Sequence, residues 1–318
     1  PILVSLFIAI IMAIPVGWLK KRGMSVPVSV GIVLLATVLI EVLLALMLGN
    51  TIEQFNELLP GYQARLSEIE TDLSGWLVSR GVNLPESGIL DAMDPKWALD
   101  FANTVMAGLG EVLSNAVLIM FTVLFMLLEA WSFPDKIHAM QGIRGGEVMA
   151  EIAKVVDSTK NYIAAKALIS LATGILIAIG LALVGLDFAV LWGFLAFVLN
   201  FIPNIGSVLA AVPAVLMSLL QLGPLETLIV IAIYLAANTL MGNIVEPAIL
   251  GRRVGLSALT VFMSLVFWGW LLGPVGMLLS VPLTMVIKFA AQASDQTRWI
   301  AVLLGPAPQP STPAVERD

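Results

Sequence analysis

Apolar runs long enough to cross a bilayer recur along this sequence, and no soluble fold can bury so many of them. A span needs about 20 apolar residues to cross a hydrocarbon core of about 30 Å. Residues 1–19 and 25–49 each supply such a run, and others follow at about 106–131, 162–184 and 225–241. Of 318 residues, 59% are hydrophobic and only 12% charged, whereas a soluble domain carries about 25% charged residues. The chain therefore reads as an all-α polytopic membrane protein, with the lipid bilayer as its first partner. Helices suit that solvent because each satisfies its backbone hydrogen bonds within one segment.

Composition also excludes several chemistries. Cysteine is absent and His138 is the sole histidine, so disulfides, thiolate sites and histidine metal clusters are ruled out. There is no phosphate-binding G-x-x-x-x-G-K-[ST] loop and no basic patch, so the chain is not its own ATP motor and nucleic acid is set aside. No cofactor or metal is expected. The enzyme reading is weakest, since no Ser–His–Asp set or aspartyl pair sits at a plausible depth. The chain opens at Pro1 inside an apolar run, and the expectation is that a further segment precedes it.

Charge fixes an expected orientation. Lys20, Lys21 and Arg22 follow the first run, which places that turn in the cytoplasm. Residues 50–105 then fall outside, and they hold nine acids against three basic residues, an imbalance as large as the formal charge of −6 of the whole chain. Within them Ile52, Phe55, Leu59, Tyr62, Leu66, Ile69, Leu73 and Trp76 recur at steps of three and four, a heptad seam. It suits either pairing with another subunit or lying on its own protein or on lipid. Pro60 is expected to kink or restart that helix. After an inward span, residues 132–160 carry Lys136, Arg144, Lys154 and Lys160, with an apolar face of Val148, Ile152, Val155 and Ile163 that fits an interfacial helix. Lys166 is expected to snorkel to the cytoplasmic surface, and the Pro-rich tail from Gly305 to be disordered.

The second half contains an internal repeat. Residues 185–213 and 255–282 align with Gly185-Leu186 on Gly255-Leu256 and Gly206 on Gly276, at an offset of 70. Each block follows an apolar span and is broken in its middle by Pro and Gly. The arms are about 15–17 residues, short for a full span of about 20. Each is read as a re-entrant hairpin or two short spans. Parity makes the two units run in opposite senses, a design of secondary transporters that bind substrate near the breaks. The division is 1–49, N-terminal helices; 50–105, extracytoplasmic insertion; 106–160, a span and interfacial helix; 161–223 and 224–291, the two repeat units; and 292–318, the tail.

The candidate site follows from the breaks, where freed backbone groups must meet protein, water or solute. The first tip holds Asn200, Pro203, Asn204 and Gly206; the second holds Gly273, Pro274 and Gly276. The tips are expected to approach each other. Asn238 and Asn243 end the helix before the second block, and each amide can hold a hydroxylated solute or a helix partner. Glu246 is the acid nearest the repeat core, a candidate to couple a proton or cation or to pair with Arg252 or Arg253. Asp187 is expected to cap the helix that follows it.

Residues 243–288, NIVEPAILGRRVGLSALTVFMSLVFWGWLLGPVGMLLSVPLTMVIK, resemble the autoinducer-2 exporter family of bacterial membrane proteins, as do the IPNIG break and the KKRG turn. The likeness runs over nearly the whole chain. It departs at Ser257-Ala258, where many members carry His-Pro. The resemblance implies export of a small signalling solute without ATP, residence in the bacterial inner membrane, and a homo-oligomer such as a pentamer. Some members are sodium or lithium/proton antiporters, so antiport stands as an alternative. A non-transporting scaffold built on the heptad segment is a third reading, and it leaves the repeat unexplained.

Overall fold

The computed structural model describes residues 2–80, 115–140, 145–203, 205–250, 255–292 and 296–306. Every element among them is helical. Asn204, Arg252, Arg253 and the tail beyond Pro306 lie outside the described residues, as do residues 81–105 of the acidic stretch and the start of the third expected span.

Helix α1, Ile2–Lys21, turns at Gly23 into α2, Val26–Ser79, and the Arg22 guanidinium stacks 3.7 Å above the Trp18 ring. With α3, Ala116–Met140, these form a bundle centred on Val16, Val30, Val123 and Leu127. Helix α2 has 54 residues and continues through Pro60 as one helix, so the expected restart there does not occur. At 1.5 Å per residue it is about 81 Å long, far more than a bilayer requires. Its outer part folds onto its own protein at Tyr62, the only seam residue whose side chain is described, which joins the core around Trp192.

Helix α4, Gly145–Val184, fuses the expected interfacial stretch to the span that follows it. The chain then turns into α5, Ala189–Leu199, and α6, Gly206–Gln221, which pack with α4 and α7, Pro224–Asn238, around Trp192, Leu181 and Val230. Asp187 does not cap α5. That helix has no side-chain cap, and the Asp187 carboxylate instead accepts the Tyr62 hydroxyl at 3.2 Å. Burial and the Asp187 charge hold the Tyr62 phenol well above its ordinary pKa, so it stays protonated and can donate. Gln221 accepts the Asp187 backbone N–H at 2.8 Å. The capping expectation failed because a distant phenol competes for the same carboxylate.

Helix α7 runs into a π-helical turn, Thr239–Val245, then into α8, Glu246–Leu250. Sequence pattern gave no hint of this turn. Helix α9, Ala258–Gln292, is broken at Gly273, whose φ of 67° and ψ of −151° fall where essentially only glycine is found. The Trp268 indole N–H donates to Thr284 Oγ1 at 3.0 Å. Those residues would stand about 24 Å apart along a straight helix, so the chain folds back on itself at the break. Helix α10, Arg298–Leu303, packs on the end of α9.

The same kind of close approach occurs within each tip. A Cβ on Gly206 would lie 1.8 Å from the Leu199 carbonyl oxygen, and one on Gly276 would lie 1.9 Å from that of Trp268. Each glycine lets the second arm press against the end of the first. Gly185 and Gly255, at the same 70-residue offset, both have positive φ. Five described stretches are long and apolar enough to span a membrane: Ile2–Lys21, Val26–Thr51, Val156–Val184, Pro224–Ile249 and Ala258–Gln292. Their outer faces carry large apolar side chains such as Leu35, Leu183 and Trp270, as lipid contact requires.

Candidate functional site

Helix α4 carries a polar stripe inside an apolar span. Tyr162, Lys166, Ser170 and Thr173 follow at steps of four, four and three, which puts them on one face, and all four are buried. Thr173 returns its hydroxyl to the Ile169 carbonyl at 2.8 Å. The next two groups reach across to different parts of the chain.

Lys166 Nζ donates to both carboxylate oxygens of Glu246, at 2.7 and 2.8 Å. The lysine side chain is 5% exposed and the glutamate 26%. Lys166 therefore does not snorkel, because a carboxylate 80 residues away supplies its counter-charge within the protein. A lone charge at that depth would meet a severe desolvation penalty, and a close, doubly bonded pair offsets it. Glu246 follows directly on the π-helical turn, a feature frequent at functional sites.

One helical turn further along α4, Ser170 Oγ accepts the Asn200 side-chain N–H at 3.0 Å. Asn200 is buried at the end of α5, where the first break begins. Helix α4 thus joins the first break to the π turn of the second unit. Aromatic rings continue this joint into α1: Phe201 meets Phe7 edge-on at 5.5 Å and Phe197 at 5.8 Å.

The remaining candidates are spread more widely. Pro203 is half-buried in the first turn and Asn204 is outside the described residues. Asn238 ends α7, with its amide oxygen beside Gly242. Asn243 sits exposed on the π turn. Gly273 and exposed Pro274 form the second turn, and Gly276 is buried behind it. Among the described residues α9 packs chiefly on α4 and α10 and touches α1; neither α5 nor α6 is a main neighbour. Geometry therefore gathers Asn200 and Glu246 on α4 and leaves the second tip apart. Lys166, Tyr162 and Ser170 were missed as site residues, although their four-residue spacing in an apolar run was a usable signal. Among the described residues no group of three acidic, His or Cys side chains could hold a metal.

A helical membrane chain that holds an ion pair and a buried amide–hydroxyl contact among its apolar helices carries polar groups where membrane proteins place functional ones. The chain belongs to the AI-2E family transporters, whose family model matches residues 1–296. It is 40% identical over 304 residues to the AI-2 transport protein TqsA of Escherichia coli (strain K12), covering 96% of this chain and 88% of that protein. It is 36% identical over 306 residues to the putative transport protein YhhT of the same strain, covering 96% and 87%. A putative transport protein of Haemophilus influenzae is 37% identical over 312 residues, covering 96% and 89%. The protein is thus a multi-pass membrane protein of bacterial type.

Proposed function

We propose that the chain is a secondary-active exporter of a small, uncharged, hydroxyl-rich signalling solute of the autoinducer-2 type. It resides in the bacterial inner membrane as a homo-oligomer and serves quorum sensing. The two repeat units are oppositely oriented re-entrant hairpins that alternate access to a site beside α4. The observation that carries this reading is the pair of polar joints on one face of that helix, Lys166–Glu246 and Ser170–Asn200. Such groups can exchange hydrogen bonds with a polyol, and the joints tie together the parts that must move. The name of the E. coli relative supports the solute class.

Uptake of autoinducer-2 into inside-out vesicles, with and without an imposed proton gradient, tests it. Gradient-dependent uptake is expected, and Asn200→Ala should lower it about tenfold, the equivalent of one buried hydrogen bond with its partner stranded. Absence of uptake under any gradient would move the assignment to sodium or lithium/proton antiport. The half-buried acid Glu246 favours that second reading, since ion coupling needs a titratable group.

Opposite orientation has its own test. Single cysteines at Ser207 and Met277 label cleanly because the chain has no native cysteine. They should react with an impermeant thiol reagent from opposite sides of the membrane. Labelling of both from one side would rule out the inverted arrangement.

A further inference from the structure

Glu41 stands well inside an apolar span. It belongs to Val26–Thr51, and the nearer end of that span is about 15 Å away along the helix. It lines a groove of about 460 Å³ between α2 and α3, walled by Val38 and Ala45 on one side and by Val117, Phe121 and Leu124 on the other. Every other residue of the described lining is apolar. Val38, Val42, Val117 and Phe121 are exposed, so the groove opens sideways, towards lipid. Among the described residues no hydrogen bond or ion pair reaches the Glu41 carboxylate. The sequence carries this further: residues 1–19, 23–64 and 97–135 contain no Lys, Arg or His. None of the three helices of this bundle therefore brings a cation to the depth of Glu41. An ionisable group at membrane depth is costly and marks a binding site or a pathway.

We propose that this groove binds amphiphilic organic amines in their cationic form, with the ammonium on Glu41 and the apolar body along Val38, Val117 and Phe121. Small-molecule sites run to about 300–1,000 Å³ and combine an apolar lining with a few placed polar groups, and this groove has both properties. Charge sets the selectivity. A carboxylate only accepts hydrogen bonds and an ammonium only donates them, so the two form a charge-assisted hydrogen bond. Phe121 adds an aromatic ring, whose face attracts a cation. A lipid tail would suit the apolar walls but would leave Glu41 without a counter-charge, and that favours the amine. The sideways opening gives the route, because an amphiphile gathers in the bilayer and enters from there. The groove lies apart from the polar face of α4, and its occupancy does not depend on the solute transported.

The test uses the full chain in nanodiscs of phosphatidylcholine, with empty nanodiscs of the same lipid as the reference. Equilibrium dialysis measures the excess of pyrenemethylamine bound per protein, and pyrenemethanol serves as the neutral ligand with the same apolar body. The amine should bind in excess and the alcohol should not. Glu41→Gln, which keeps the shape of the side chain, should weaken amine binding about tenfold, the weight of one hydrogen bond to a charged group. Ala45→Phe, which fills the groove and keeps the carboxylate, should weaken it as well. Glu129→Gln removes an acid from α3 outside the groove and should leave binding unchanged. Equal binding of amine and alcohol would make the groove an apolar slot for lipid and overturn the proposal. Amine binding that survives Glu41→Gln or Ala45→Phe would place the amine elsewhere and overturn it too.

Discussion

Lys166→Leu is expected to destabilise the chain by about 3 kcal/mol, the low end for breaking a buried ion pair. The low end applies because Glu246 keeps 26% exposure while Lys166 has 5%. Glu246→Leu should cost more, since it strands the more deeply buried charge. The double variant should recover most of the loss, because a buried pair replaced by apolar side chains is often neutral or better. Thermal unfolding of all four proteins in detergent, followed by tryptophan fluorescence, gives the coupling directly. Single variants that unfold like the parent would show that the pair carries no weight. The same four proteins separate a structural brace from an ion-exchanging one. A brace predicts that the double variant transports. If Glu246 releases its partner to take up a proton or cation in each cycle, the double variant stays folded but loses gradient-driven transport.

Gly206→Ala and Gly276→Ala are expected to be as damaging as any single methyl addition in the chain. The new Cβ would meet a carbonyl oxygen at 1.8 Å and 1.9 Å respectively. Backbone cannot rotate aside as a side-chain tip can, so the two arms must separate. Overpacking commonly costs about 1–3 kcal/mol, and a clash this deep should reach or exceed the top of that range. Loss of monodisperse protein on size exclusion, or a thermal midpoint lowered by several degrees in each variant, is the expected result. Gly31→Ala, in open space on α2, is the control. If Gly206→Ala unfolds like that control, the close approach at the first tip is not a constraint.

How much of this was legible beforehand depends on the range of the signal. The spans could be read because apolar length is local and the bilayer sets one threshold. The breaks could be read because Pro and Gly act on their own backbone, and the 70-residue offset aligned Gly206 with Gly276 in sequence. Pairings were not legible. Lys166 and Glu246 are 80 residues apart, and Tyr62 and Asp187 are 125; each residue had a local role available, as snorkel, ion pair or cap, that sequence alone could not outrank. The π turn was hidden because Thr239–Val245 has the composition of ordinary helix. The continuity of α2 was hidden because Pro60 removes one hydrogen bond in a helix of 54 residues, and its neighbours keep the path.

The long second helix also has a mechanical meaning. A rod of about 81 Å that tilts by about 10° swings its far end through roughly 14 Å. Tyr62 sits about two-thirds of the way along it, clasped to the turn between α4 and α5. That clasp makes α2 a lever with a fixed point of attachment. Force applied to its far end is passed to the turn between α4 and α5, and movement of that turn is in turn amplified at the far end.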